Sequence, residues 1–195
     1  MASSIARPAK SVPRDPNLRG RTYLESGRLS TGMEYRDQTI DQFLSTIAST
    51  NVVPAGGSAA AVVGATGTAL CEMTCIHTVE NEAFAEVESE LASVGADLEG
   101  QRSALLDLAD RDAEAVEDLL AAGDDEGEEW AASKTATGVP LAIAEACGTV
   151  LEHAVVVTAR GNPRAVPDAV TGAYLVRAAL QASVFTVGTN LQEIA

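Results

Sequence analysis

Apolar residues recur every three or four positions along most of the chain, the spacing of a helix with one buried face. The first stripe of this kind predicts a helix within residues 35–50, with Thr39 as its N-cap. Its members are Ile40, Phe43, Leu44 and Ile47. The same spacing continues through residues 82–122, where Gly95 and Gly100 leave open whether one helix or two form.

Two further helices are expected after an acidic turn. One covers residues 130–159, with Pro140 at a start or a kink, and the turn Gly161-Asn162-Pro163 ends it. The other has Pro167 in its first turn and extends to about Leu191. No stretch alternates between apolar and polar residues as a half-buried strand would. The pattern therefore predicts an all-α, single-domain bundle of five or six helices with long central helices.

Residues 51–79 depart from this pattern because they are small and uncharged up to Glu72. The run Pro54-Ala55-Gly56-Gly57-Ser58 reads as a tight loop, and Ser58 is expected to cap the long helix behind it. N–H groups at such a helix start can hold an anion, and glycines let a ligand approach the backbone. A structural turn before a core helix is the plainer interpretation. We reject a transmembrane span because Leu, Ile and Phe are nearly absent and no second such segment is evident, which leaves a central buried helix.

Composition narrows the possible functions. Hydrophobic residues make up 46% of the chain but aromatic residues only 4%, so the core must consist of Ala, Val and Leu in closely packed helices. The net charge of -15 argues against partners such as nucleic acid or anionic membranes. An acidic surface with only two lysines, Lys10 and Lys134, is typical of proteins adapted to high salt. Three cysteines without a C-x-x-C motif predict no disulfide framework and a cytoplasmic location.

Residues 1–32 differ from everything that follows. They are rich in proline and basic residues and show no helical or strand period, so we predict a disordered tail without a secretory signal. The helical domain is expected to cover residues 33–195, and Met33 is a candidate for the true start of the protein. Mass spectrometry of the natural N-terminus tests this hypothesis.

Two carboxylates stand where a helical core does not need them. Asp112 follows Leu105 and Leu108 by seven and four residues, which places it on the buried stripe, where an acid is either paired or functional. Asp168 lies at a helix start, where an ordinary capping acid is the alternative.

A metal site is not predicted. The only grouping of suitable side chains is Cys71, Cys75 and His77, and His77 points to a different face of the helix from the two cysteines. Core cysteines and a surface or capping histidine are the expected roles.

These features resemble, in this order, the cyclodeaminase/cyclohydrolase family. That family comprises the cyclodeaminase half of formiminotransferase-cyclodeaminase and stand-alone methenyltetrahydrofolate cyclohydrolases. Its motifs are P-x-G-G-G-S with G-A-L-G-x-A-L-x-x-M, then D-x-D-A-x-A-F, V-P-L, G-N-x-x-A-x-S-D and N-V-x-I-N-L. They correspond here to residues 54–73, 110–116, 139–141, 161–168 and 186–191. The resemblance covers about residues 33–194.

The resemblance implies a homodimeric enzyme that acts on a tetrahydrofolate derivative without a metal or redox cofactor. Asp112 and Asp168 are then the candidates for acid/base catalysis or cation stabilisation. The implied substrate contacts are Pro54, Ala55, Gly56, Gly57, Ser58, Gly161, Asn162, Arg164 and Asn190. The favoured activity is hydrolysis of 5,10-methenyltetrahydrofolate to 10-formyltetrahydrofolate. The alternatives are a formimidoyltetrahydrofolate cyclodeaminase that releases ammonia and a non-catalytic folate-binding or structural homologue.

Several positions depart from the family motifs. Ala55 replaces the first loop glycine, Pro167 replaces the serine before Asp168, and Thr186 replaces an asparagine. Many members also carry basic residues where residues 78–82 are acidic here. If those basic residues grip the glutamate tail of folate, Arg102, Arg111 and Arg164 are possible substitutes.

Overall fold

A computed structural model describes residues 34–123 and 126–194, with side chains described up to residue 192. This part of the chain contains two 3-10 helices, five α-helices and no strand, which confirms the all-α prediction. The 3-10 helices are Tyr35–Asp37 and Glu82–Val87, and the α-helices are α1 (Ile40–Ile47), α2 (Gly56–Val79), α3 (Glu88–Ala121), α4 (Glu126–Arg160) and α5 (Val166–Ile194). The predicted tail, residues 1–32, lies outside the described residues.

The four long helices form an up-and-down bundle in which each helix is antiparallel to the next. α2 packs against α3 and α5, and α4 closes the ring opposite α2. The direction of the chain follows from two contacts, because Gly57 at the start of α2 meets Asp112 near the end of α3, whereas Cys75 near the end of α2 meets Gly95 early in α3. Short connections between antiparallel neighbours favour this arrangement.

The core consists of aliphatic and small residues, as the composition predicts. Leu91, Leu98 and Leu105 of α3 recur every seven residues and are fully buried in the same core cluster as Ile143 and Val150 of α4. α2 contributes mainly alanine, glycine and threonine, and half of its apolar stretch is buried inside the bundle. The prediction of a central buried helix is therefore confirmed, and its small side chains are what let the neighbouring helices approach it.

Several local predictions need correction. Ser58 is not an N-cap, because α2 begins at Gly56 with Ala55 as its N-cap, so both glycines belong to the first turn. The question left open by Gly95 and Gly100 is answered, because α3 is one helix, Glu88–Ala121. Of the two alternatives for Pro140, the helix start is wrong, because Pro140 lies buried inside α4. The Thr39 cap is confirmed, since its side chain accepts a hydrogen bond from the Gln42 N–H in a complete capping box.

The expectation of a single long apolar segment is also wrong. Among the described residues, three helices are long and apolar enough to cross a membrane by length and composition alone: Gly56–Val79, Glu126–Arg160 and Val166–Gln192. Only 22% of the apolar window in the last of these is buried inside the chain. α5 therefore presents apolar side chains outward, with Tyr174 66% and Phe185 75% exposed.

Candidate functional site

The Gly-rich start of α2 is held by the buried carboxylate of Asp112 on α3. Asp112 is 5% exposed, and its Oδ2 accepts hydrogen bonds from the Ser58 N–H (2.7 Å) and the Ser58 hydroxyl (2.9 Å). The helix start does bind an anion, as its unpaired N–H groups favour. That anion is a side chain of the same protein, which the sequence did not indicate.

The two glycines at this start have different surroundings. A Cβ added to Gly57 would lie 2.5 Å from Asp112 Cγ, so only glycine leaves room for the carboxylate. A Cβ added to Gly56 meets nothing within 4 Å, and Gly56 is exposed. Pro54 is buried and Ala55 is half-buried behind them. Gly56 is thus the point where a ligand can approach the helix start.

Burial raises the pKa of the Asp112 carboxyl above its ordinary value, and the two hydrogen bonds from Ser58 partly offset that rise. A carboxyl whose pKa is raised in this way is a better proton acceptor than an exposed aspartate. The sequence predicted that Asp112 is either paired or functional. Pairing with Ser58 is compatible with a role in proton transfer, so both can be true.

Tyr35 completes this cluster, and no motif in the sequence singled it out. Its N–H donates to Asp110 Oδ1 (2.9 Å). Burial, and then the negative charges of Asp110, Glu117 and Asp112, raise the pKa of its phenol to about 12. Its ring packs edge-on against Phe43 of α1, with ring centroids 5.3 Å apart. The two aspartates of the D-R-D segment thus hold two different chain segments, Asp110 the 3-10 helix and Asp112 the start of α2.

The turn between α4 and α5 forms the second group of predicted residues, and threonines of α2 fix it. The Asn162 N–H donates to Thr78 Oγ1 (2.8 Å), and the Thr74 hydroxyl donates to the Ala165 carbonyl (3.1 Å). Gly161 is buried, and a Cβ there would lie 2.5 Å from the Val157 carbonyl oxygen. Buried threonines on a helix made of alanine and glycine were the available sequence signal for this contact.

A cavity of about 340 Å³ lies beside this turn, lined by Asn81, Phe84, Asn162, Pro163 and Arg164. The Asn162 side chain is already engaged, because its Oδ1 accepts the Arg164 N–H (3.0 Å). The Arg164 guanidinium is exposed and has no carboxylate partner among the described residues. Arg102, by contrast, is paired with Glu72 through contacts of 2.7 and 3.3 Å. Its charge is therefore already neutralised and is not free to bind a glutamate tail.

Asp168 and Asn190 lie at opposite ends of α5. Asp168 is exposed in the first turn, and its carboxylate makes no hydrogen bond or ion pair among the described residues, so it does not act as a cap. The Asn190 side-chain amide donates to the Ala136 carbonyl (2.7 Å) and so ties the end of α5 to α4.

The predicted residues therefore form two groups within one chain. Gly56, Gly57, Ser58 and Asp112 share one end of the bundle with Asn190. Gly161, Asn162, Arg164 and Asp168 occupy the other end, next to Thr78. Because a helix rises about 1.5 Å per residue, the length of α2 separates the two groups by about 30 Å.

The cysteines and histidines are not assembled into a site. Cys71 and Cys75 are buried in the core, where burial raises the pKa of each thiol to about 11, whereas His77 is exposed. In the part of the chain that the structure describes, no three His, Cys, Asp or Glu side chains are grouped to bind a metal ion.

Comparison with known proteins agrees with this architecture. The sequence model of the formiminotransferase-cyclodeaminase family matches residues 39–195. A methenyltetrahydrofolate cyclohydrolase from Methylorubrum extorquens is 34% identical over 165 residues, which cover 79% of each chain. The crystal structure of a formiminotetrahydrofolate cyclodeaminase from Thermotoga maritima superposes with a TM-score of 0.79 at 30% identity, over 81% of this chain and 80% of that one.

Proposed function

Because this chain belongs to the formiminotransferase-cyclodeaminase family, we propose that it is a methenyltetrahydrofolate cyclohydrolase. The observation that carries the proposal is the similarity to the Methylorubrum cyclohydrolase along most of both chains. The Asp112 cluster supports it, since a buried carboxylate next to an open glycine is suited to proton transfer.

The reaction requires one water molecule and no redox change. The one-carbon bridge between N5 and N10 is a cationic amidinium, which a carboxylate stabilises. Water adds to the bridging carbon while a carboxylate accepts its proton. The N5–C bond of the tetrahedral adduct then breaks, which leaves a formyl group on N10 and releases one proton overall. Neither a metal nor a redox cofactor takes part in this proposal.

We assign the proton-accepting role to Asp112 and stabilisation of the cationic bridge to Asp168. The raised pKa of Asp112 suits the first role, and the exposed carboxylate of Asp168 is free for the second. The Arg164 guanidinium, the free cation of the cavity beside the α4–α5 turn, is suited to a carboxylate of the glutamate tail. Gly56 and the residues around it leave room for the ligand at the start of α2.

The separation of the two carboxylates supports a homodimer. Two antiparallel copies would place the Asp112 end of one beside the Asp168 end of the other, which a single chain does not do. α5 offers a suitable surface, because the only charged residue between Asp168 and Glu193 is Arg177 in a chain of net charge -15. A helix that is apolar on both its inner and outer faces is usually buried on both.

The oligomer is tested by placing a charge on that surface. Phe185→Asp should convert a dimer into a monomer in sedimentation or light-scattering measurements, because an aspartate would be buried without a partner. Leu120→Asp is the matched control: Leu120 is 56% exposed on α3, away from α5, and its replacement should leave the dimer intact. A wild-type monomer would contradict the proposal.

The activity is tested by the loss of 5,10-methenyltetrahydrofolate absorbance in high-salt buffer against a blank without protein. Wild-type protein should accelerate the loss, and Asp112→Asn and Asp168→Asn should each reduce the rate by roughly 100-fold or more while the protein stays folded. Asp118→Asn, an exposed aspartate on the same helix as Asp112, should retain the wild-type rate. Unchanged rates in both site variants would refute the residue assignment.

A second activity is favoured by one observation, the close superposition on the Thermotoga cyclodeaminase. Both reactions pass through the same bridging carbon, so the fold and the site do not separate them. Release of ammonia from 5-formimidoyltetrahydrofolate, without faster hydrolysis of 5,10-methenyltetrahydrofolate, would support the cyclodeaminase activity. If a folded sample shows no activity in either assay, the non-catalytic alternative is supported.

A further inference from the structure

The cavity beside the α4–α5 turn combines three kinds of chemical group. The half-buried ring of Phe84 forms an apolar wall, and the side chains of Asn81 and Asn162 form a polar edge. Among the described residues that line the cavity, only Arg164 is charged. The side-chain oxygen of Asn81 accepts the Ala83 N–H (3.1 Å), which leaves its NH2 group to donate to a ligand. An aromatic wall, an amide donor and a guanidinium together suit an aromatic amide that carries a carboxylate.

The tail of the proposed substrate has this chemistry. In 5,10-methenyltetrahydrofolate an aromatic ring is attached to N10, and an amide bond joins that ring to glutamate. Asp168, which stabilises the cationic bridge in the proposed reaction, is four residues beyond Arg164 in the chain. A substrate with its bridge at Asp168 would place its ring against Phe84 and the carboxylate of its first glutamate on Arg164.

The surface around this cavity is acidic. Exposed carboxylates flank the lining residues along the chain, and none of them forms an ion pair among the described residues; they are Glu80, Glu82 and Glu86. Arg160, at the end of α4, is already paired with Glu90 (3.3 Å). Residues 80–90 and 160–168, all of which the structure describes, therefore contain Arg164 as their one cation without a carboxylate partner.

We propose that this cavity selects monoglutamyl folates, and that Glu80 and Glu82 disfavour longer glutamate chains. The inference rests on the proposed function, because it concerns the tail of that substrate. The first glutamate pairs with Arg164, and each further γ-linked glutamate adds one negative charge beside exposed carboxylates. Exposed charges repel one another over about 10 Å at 0.1 M salt but only about 3 Å at 1 M salt. The preference for a short tail is therefore electrostatic and weakens as salt increases.

The test compares the monoglutamyl and triglutamyl forms of 5,10-methenyltetrahydrofolate. For wild-type protein at about 0.1 M salt, KM of the triglutamate should be roughly twofold to fivefold higher than KM of the monoglutamate. The ratio should approach one at about 1 M salt, in protein that circular dichroism shows to be folded at both concentrations. The two forms should have similar kcat values, because the tail binds alike in the ground state and the transition state.

Charge variants identify the residues responsible. Arg164→Gln should raise KM of the monoglutamate roughly fivefold or more with little change in kcat. The double variant Glu80→Lys/Glu82→Lys should bring KM of the triglutamate below that of the monoglutamate at about 0.1 M salt, because the added charges then meet cations. Glu99→Lys/Glu145→Lys is the matched control and should keep the wild-type ratio. Both of its residues are exposed and lie about 16 Å or more along their helices from the cavity.

A binding measurement separates this inference from the proposed function. Calorimetry at about 0.1 M salt compares monoglutamyl and triglutamyl tetrahydrofolate, which carry no one-carbon bridge to hydrolyse. If the monoglutamate binds more tightly but wild-type protein hydrolyses no methenyl substrate, the tail preference stands and the hydrolytic function fails. If wild-type protein hydrolyses both substrates with equal KM, or prefers the triglutamate, the function stands and the tail preference fails. If neither form binds and neither substrate is hydrolysed, both fail.

Discussion

At the scale of single residues, position 57 has no room for a side chain because the Asp112 carboxylate occupies that space. In Gly57→Ala the new Cβ would lie 2.5 Å from Asp112 Cγ and 2.7 Å from its Oδ2, so either the carboxylate or the start of α2 must move. We expect a loss of about 1–3 kcal/mol in the free energy of unfolding, measured by denaturant titration.

The neighbouring glycine provides the control for that prediction. A Cβ at Gly56 meets nothing within 4 Å, so Gly56→Ala should leave the free energy of unfolding unchanged or raise it by about 0.5 kcal/mol. Equal losses in the two variants would mean that helix-start conformation, rather than contact with Asp112, requires glycine here.

Asp112 also predicts how stability depends on pH. Since its pKa is raised in the folded state, folding favours the protonated form, and this contribution is present below pH 3.8 and lost as pH rises through the raised value. Asp112→Asn has no such proton to lose. Its melting temperature relative to wild type should therefore increase as pH rises through that window, measured by thermal melts at a series of pH values. A relative melting temperature that falls with pH would show that the carboxylate is stabilised when ionised.

At the scale of helices, the crossing of α2 and α5 depends on two glycines in contact. A Cβ on Gly67 would lie 2.5 Å from the carbonyl oxygen of Gly172, and a backbone atom cannot swing aside as a side chain can. Gly67→Ala should therefore cost about 1–3 kcal/mol of unfolding free energy and lower the melting temperature.

Gly148→Ala tests whether the cost comes from that crossing. Gly148 is also in a helix interior, but a Cβ there meets nothing within 4 Å. Because alanine favours helix more than glycine does, this substitution should raise stability by about 0.5–1 kcal/mol. Similar losses at both positions would argue against close packing of α2 and α5 as the reason for glycine.

The predictions from sequence succeeded where one helix decides the outcome. The apolar spacing gave the existence and order of the helices, and the small residues of α2 indicated a close-packed centre. The predictions failed where distant segments meet. Ser58 looked like a cap because its partner Asp112 is 54 residues away. A helix start at Pro140, one of its two alternatives, was wrong because burial inside α4 is not visible locally. Tyr35 was missed for the same reason, since its partners Phe43 and Asp110 lie on α1 and α3.

At the scale of the whole molecule, the distribution of charge favours the proposed homodimer, in which Asp112 of one subunit would lie near Asp168 of its partner. Acidic residues cover α3 and the start of α4, whereas α5 has one arginine between Asp168 and Glu193. A surface without repulsive charge is where a second strongly acidic chain can approach. The same two-fold arrangement would create two sites, each with Asp112 from one subunit and Asp168 from its partner.

Such shared sites predict that two inactive variants restore each other. In a mixed dimer of Asp112→Asn and Asp168→Asn, one site carries both substitutions and the other carries neither. Random pairing of equal amounts makes half of the dimers mixed, so about one quarter of the wild-type rate should return, although each variant alone is inactive. The measurement is methenyl hydrolysis after co-expression, with separately purified variants combined without subunit exchange as the control. No recovery from verified mixed dimers would show that each site lies within one subunit, and the two carboxylates would then have to act in different places.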